Sequence, residues 1–76
     1  MHRPTILSIN GVPIWIRPLA HGDIAVWHPF NVATRRVVEA ACRGRGRWSG
    51  QYNNWIVFRQ FANLVLSELS AGADHV

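Results

Sequence analysis

Along the first third of the chain, apolar and polar residues alternate over short runs instead of recurring at helical spacing. Thr5 to Ile9 and Val12 to Arg17 are rich in β-branched residues and are separated by Asn10-Gly11. That dipeptide favours a two-residue hairpin turn because both of its positions tolerate positive φ. A β-hairpin is predicted there. Pro13 lies early in the second run, where a missing donor is tolerated at a strand start or on an edge, so that strand is expected to be exposed along one side. Ala20 to Asp23 reads as a turn and Ile24 to Trp27 as a third strand. His28-Pro29 stops it, because proline removes a ladder donor and restricts the residue before it.

The period changes after Asn31, a good N-cap. Ala33, Thr34, Val37, Val38 and Ala41 fall on one arc of a helix ending near Cys42, with Arg35, Arg36, Glu39 and Arg43 outside it. Gly44 and Gly46 terminate this helix. Arg47 to Ser49 and Asn54 to Phe58 then read as a second hairpin around a Gly50 to Asn53 loop. From Arg59 or Gln60 to Ser70, Phe61, Ala62, Val65, Leu66 and Leu69 recur at helical spacing with Leu64 on the flank, and Gly72 closes the segment. Residues 72–76 are expected to fray. The whole pattern predicts one α+β domain over residues 1–76: a small antiparallel sheet, built of two hairpins and a short strand, with two helices packed on one face.

Composition sharpens this picture. With 49% apolar residues and four tryptophans in 76 residues, the chain is built to fold. So small a domain nevertheless gains only about 3–5 kcal/mol from its core. Its length leaves little room for a cofactor-binding or two-lobed enzyme, so neither catalysis nor a cofactor is expected. The single cysteine, Cys42, cannot close an intramolecular disulfide, which points to a reducing cytoplasm. Asn10, Gly11, Pro13 and Pro18 break the N-terminal apolar stretch, so neither a signal peptide nor a membrane span is expected.

The charge is what suggests a partner. The formal net charge is +4, and all eight basic residues are arginine. Such a balance favours a polyanion, and guanidinium forks suit phosphates and base edges. The sharpest local feature is Arg43-Gly44-Arg45-Gly46-Arg47, followed at once by Trp48. Glycines let the backbone approach a phosphate and arginines release counterions, whereas the bland reading is a solvated helix end complementing the helix dipole. Arg36 falls on the same helical edge as Arg43 and extends the strip. Trp48, Tyr52 and Trp55 follow closely, as where bases stack beside a charged groove. Tryptophans in small domains belong mostly to the core, so Trp15, Trp48 and Trp55 are read as mainly structural, with Trp55 buried between the second hairpin and the last helix. Tyr52 is expected to be exposed. Asn53 and Asn54 could touch bases, though asparagine in a hairpin loop more often serves its left-handed backbone.

Other chemistry is sparse. His2, His21, His28 and His75 are scattered without ligand spacing, so no metal site is expected. Asp23 beside His21 reads as turn chemistry, and Glu68 as a peripheral ion-pair partner.

From Gly22 to about Leu69 the order is strand, Pro-Phe-Asn, helix, Gly-Arg-rich turn, Trp48, Trp55 seven residues on, and helix. This resembles the HARP (HepA-related protein) domain of annealing helicases, whose Gly-Arg-Arg-Trp stretch is approximated by Gly44, Arg45, Arg47 and Trp48. The family's Asp-Pro after the first tryptophan is Ser49-Gly50 here, and Gly46 is an additional glycine. The resemblance implies DNA contact, including forked structures, without the attached ATP-hydrolysing motor. Two functions are therefore expected as alternatives. In the first, a small non-enzymatic module binds nucleic acid, DNA rather than RNA, with Arg36, Arg43, Arg45 and Arg47 on phosphates and Tyr52 or Asn54 touching bases. In the second, the chain is a protein-binding inhibitor or accessory factor, of the kind found on mobile genetic elements, that docks on a larger nucleic-acid-handling protein through Trp15, Trp27 and Leu64.

Overall fold

The computed structural model describes residues 5–74. Strands β1 (Thr5–Ile9) and β2 (Val12–Pro18) form the predicted hairpin, with Asn10 and Gly11 at φ of 51° and 77°. A single 3-10 turn at Ala20–Gly22 leads into β3 (Ile24–Trp27). Helix α1 (Val32–Cys42) follows, then β4 (Gly46–Ser49), β5 (Asn54–Val57) and helix α2 (Arg59–Ala71). All pairings are antiparallel, in the order β1-β2-β3-β5-β4, so β5 lies inside the sheet and β1 and β4 form its edges. The architecture is the expected α+β one. Strand β2 is nevertheless interior, not an edge strand. Pro13 is accommodated because β3 pairs with β2 only from Trp15 onward, so the missing N–H lies where no second neighbour reaches.

Strict alternation sends one set of side chains toward the helices. Ile14, Ile16, Val26 and Val57 from the strands meet Val38 and Cys42 of α1 and Val65 and Leu69 of α2, all almost fully buried. Burying each such aliphatic side chain is worth about 1.5–3 kcal/mol before conformational entropy is set against it. The buried arc of α1 is rotated from the predicted one. Thr34, Val38, Ala41 and Cys42 are buried, whereas Ala33 and Val37 face solvent.

Long-range polar contacts finish the packing. Asn31 caps α1 by accepting from the Thr34 N–H at 3.0 Å. Helix α2 has no cap of its own. Instead Asp23, on the turn before β3, accepts the Arg59 N–H at 2.9 Å. The tail expected to fray from Gly72 is held instead: the Asp74 N–H donates to the Ser8 carbonyl at 2.6 Å. Its carboxylate accepts from Ser8 Oγ and from the N–H groups of Asn10 and Gly11 at 2.8–2.9 Å. Residues 75 and 76 lie outside the described residues. No helix among the described residues is long and apolar enough to cross a membrane.

Candidate nucleic-acid interface

The Arg-Gly stretch straddles the junction of α1 and β4, and this junction separates its three arginines. Arg43, at the C-cap of α1, is ion-paired with Glu39, which also lies 3.7 Å from Arg35. Arg45 turns inward, pairing with Glu68 of α2 at 2.8 Å and donating to the Ala41 carbonyl at 3.2 Å. It ties the two helices together, and Glu68 is the ion-pair partner expected. Arg47 belongs to β4, where it lies opposite Ile56 on the sheet face away from the helices. The predicted strip is thus not continuous. Arg36 and Arg43 do share one surface, a shallow depression on α1 that Arg35 and Glu39 also line.

Arg47 points to the more ordered arrangement. On the open face, the register places Ile6, Trp15 and Trp27 side by side in one row, and Arg17, Ala25, Ile56 and Arg47 in the next. Trp15, Arg17, Trp27, Tyr52, Asn54 and Ile56, with Leu19 and Ala25, line a groove of about 630 Å³. Tyr52 is 64% exposed and Trp15 43%. No acidic residue lines this groove. The carboxylates lie elsewhere: Glu39 and Glu68 pair with arginines, while Asp23 and Asp74 receive backbone donors. Arg17 and Arg47 have no carboxylate partner among the described residues. The Asn54 side-chain oxygen is buried and makes no hydrogen bond.

A second groove, of about 700 Å³, lies on the helix side between the start of α1 and the second hairpin. Its walls include Phe30, Trp48 and Trp55, and its polar rim includes Asn31, Arg35, Glu39, Arg43 and Asn53. Trp48 and Trp55 pack edge to face with centroids 5.9 Å apart. Trp55 is half-buried, packed against the core on one side and lining this groove on the other, and Trp48 is 51% exposed. The expected core roles therefore hold only partly. Trp48 stands on the edge strand β4, which leaves its ring with solvent on one side. Asn53 adopts φ of 52°, the backbone role expected of it.

The three residues read as a partner surface do not form one patch. Trp15 and Trp27 adjoin on the open face, whereas Leu64 projects from α2, which covers the opposite face. Two site residues, Arg17 and Phe30, escape the sequence reading although each left a signal. Trp15 and Arg17 alternate with the buried Ile14 and Ile16, which marks one outward row. Phe30 precedes the N-cap, where an apolar residue normally packs on the residue four positions into the helix. That residue is Arg35, so Phe30 stays 88% exposed. Arg35 lines the groove with it.

Cys42 is fully buried, and desolvation pushes its thiol up to about 12, with Arg45 lowering and Glu68 raising it to a lesser extent. A thiol so held is protonated and unreactive at neutral pH. Among the described residues no three His, Cys, Asp or Glu side chains stand close enough to hold a metal ion. His2 and His75 lie outside the described residues. Comparison with protein families, with curated proteins and with solved structures finds no match to this chain.

Proposed function

We propose that this protein is a small, non-enzymatic, cytoplasmic nucleic-acid-binding module whose principal site is the open face of the sheet. One observation carries the reading: Trp15, Trp27 and Tyr52 stand exposed with Arg17 around a groove lined by no acid, Arg47 lies on the same face, and neither arginine has a carboxylate partner among the described residues. Aromatic rings offer every base a stacking surface worth about 1–3 kcal/mol per base, while guanidiniums take the phosphates. Arg36 and Arg43 on α1 supply further positive charge, and Asn54 lines the same groove as the aromatics. Arg45 is assigned to the fold instead, because it is mostly buried, pairs with Glu68 and donates to the Ala41 carbonyl, whereas Arg43 pairs with Glu39 at the exposed surface. The resemblance to the HARP domain points the same way.

The row of Ile6, Trp15 and Trp27 reaches the β1 edge, and this favours the second reading, docking on a larger nucleic-acid-handling protein. Salt separates the two. A labelled decanucleotide should bind at low salt and quench tryptophan fluorescence. Replacing Arg17 and Arg47 together by alanine should make the log–log salt slope shallower by about 1.4 for a single strand. Absence of binding at low salt would leave the protein-docking reading in place, and an unchanged slope would take both arginines out of the site.

A further inference from the structure

The two grooves are not independent, since Trp27 lines both. The loop into β5 alternates between them: Tyr52 and Asn54 face the open-face groove and Asn53 the helix-side one. Aromatic surface therefore continues from the open face, around the sheet end formed by Trp27 and this loop, to Phe30 and Trp48. Cations stand on both sides of that turn, Arg17 on one and Arg35 and Arg43 on the other.

We infer that the bound polynucleotide is single-stranded and runs around this end of the sheet, with bases on the open-face aromatics and its continuation in the groove beneath Phe30. The inference rests on the nucleic-acid reading above. A duplex is excluded by stiffness and by stacking. Its persistence length of about 50 nm forbids a turn around a molecule whose smallest extent is 19 Å. Its bases are also already stacked on each other and cannot reach the rings. A single strand bends freely and presents unstacked bases, and roughly 4–8 nucleotides is an ordinary site size for such a groove.

Glu39 gives the path a distinctive property. It lines the helix-side groove and is ion-paired with Arg43 and close to Arg35, so a phosphate arriving there competes with a carboxylate for the same guanidiniums. Removing that charge should strengthen binding, which loss of a purely structural group would not do.

The test compares a thymidine trinucleotide, a thymidine decanucleotide, a uridine decanucleotide and a 20-base-pair duplex by tryptophan quenching. Trp15→Ala should weaken trimer and decamers alike. Phe30→Ala should weaken the decamers about tenfold and leave the trimer unchanged, as expected for one lost stacking contact. Glu39→Gln should tighten the decamers severalfold without affecting the trimer. Phe30 is 88% exposed, so its replacement leaves the core intact. A deoxyuridine decanucleotide, which differs from the uridine one in the sugar alone, shows whether the site prefers deoxyribose or ribose. Equal binding of the duplex, or decamer affinity untouched by Phe30→Ala and Glu39→Gln, would overturn the wrapped path while leaving a one-face site standing. Failure of every oligonucleotide to bind at low salt would remove the nucleic-acid reading itself.

Discussion

A β-carbon at Gly46 would collide with the Ile56 carbonyl oxygen and stand 2.8 Å from Val57 Cα. The neighbour is backbone in an interior strand and cannot swing away. Gly46→Ala should therefore destabilise the fold by about 3 kcal/mol, the upper end of ordinary overpacking, and push β4 off β5. Gly50→Ala is the control, since the nearest atom there is 3.9 Å away. Equal denaturation midpoints for the two variants would refute the close-approach argument. In the sequence Gly46 reads as part of a helix stop, because two nearby glycines after a helix look alike. Only Gly44, at φ of 76°, has that role; Gly46 is instead a point of backbone contact between strands.

Among the elements, the least legible joints are carboxylates that act across the chain. Asp23 caps a helix 36 residues away, and Asp74 holds a turn 63–64 residues away. A negative charge at a helix N-terminus meets unpaired N–H groups and the positive end of the dipole. Asp23→Ala should cost about 1 kcal/mol, as a lost N-cap does. Asp74→Ala should cost a similar amount, about 1 kcal/mol, because its hydrogen bonds are exposed and water replaces part of them. Urea denaturation of the two single variants and the double variant measures both. Asp23 meets the first residue of α2 and Asp74 follows its last, with no shared partner, so additive losses are expected, and no loss for Asp74→Ala would mean that the tail does not hold the hairpin. Nothing in the local sequence marks either partnership. Aspartate near a turn is ordinary turn chemistry, and a short polar tail after a C-terminal glycine normally frays.

At the scale of the whole molecule, Cys42 reports how completely sheet and helices close over the core. Burial raises its thiol from 9.0 to about 12. The folded state thus keeps a proton that the unfolded chain releases above pH 9. The associated stability is fully present below pH 9 and is lost as pH climbs toward 12, at a limiting slope of about 1.4 kcal/mol per pH unit. Denaturation at pH 8 and pH 10.5 should show this loss in the native protein and a smaller one in Cys42→Ala. Parallel losses would mean that the thiol is not sealed. The same closure directs charge: α2 draws Arg45 inward, α1 retains Arg43, and the sheet carries Arg47 to the far face. Replacing all three by alanine therefore mixes a structural ion pair with surface charge, and Arg17 with Arg47 is the cleaner pair for binding.

Local rules were sufficient for the elements. Asn10-Gly11 determined the first hairpin, Asn31 the start of α1, and the periods of two and of about three and a half residues determined which segments are strands and which are helices. With two one-sided helices and strands arriving in hairpins, an α+β sheet packed on one face followed. The site was legible only in part. Tyr52, Asn54, Trp15 and Trp27, which line the open groove, and Arg47 on the same face are all legible as candidates, but as members of two different surfaces. What joins them is sheet order: β5 enters between β3 and β4, and this brings Ile56 and Arg47 into register with Ala25 and Arg17. Strand order depends on long-range pairing, which side-chain periodicity does not encode, and so the sequence alone specified the aromatics and arginines while tertiary structure decided which of them share a face.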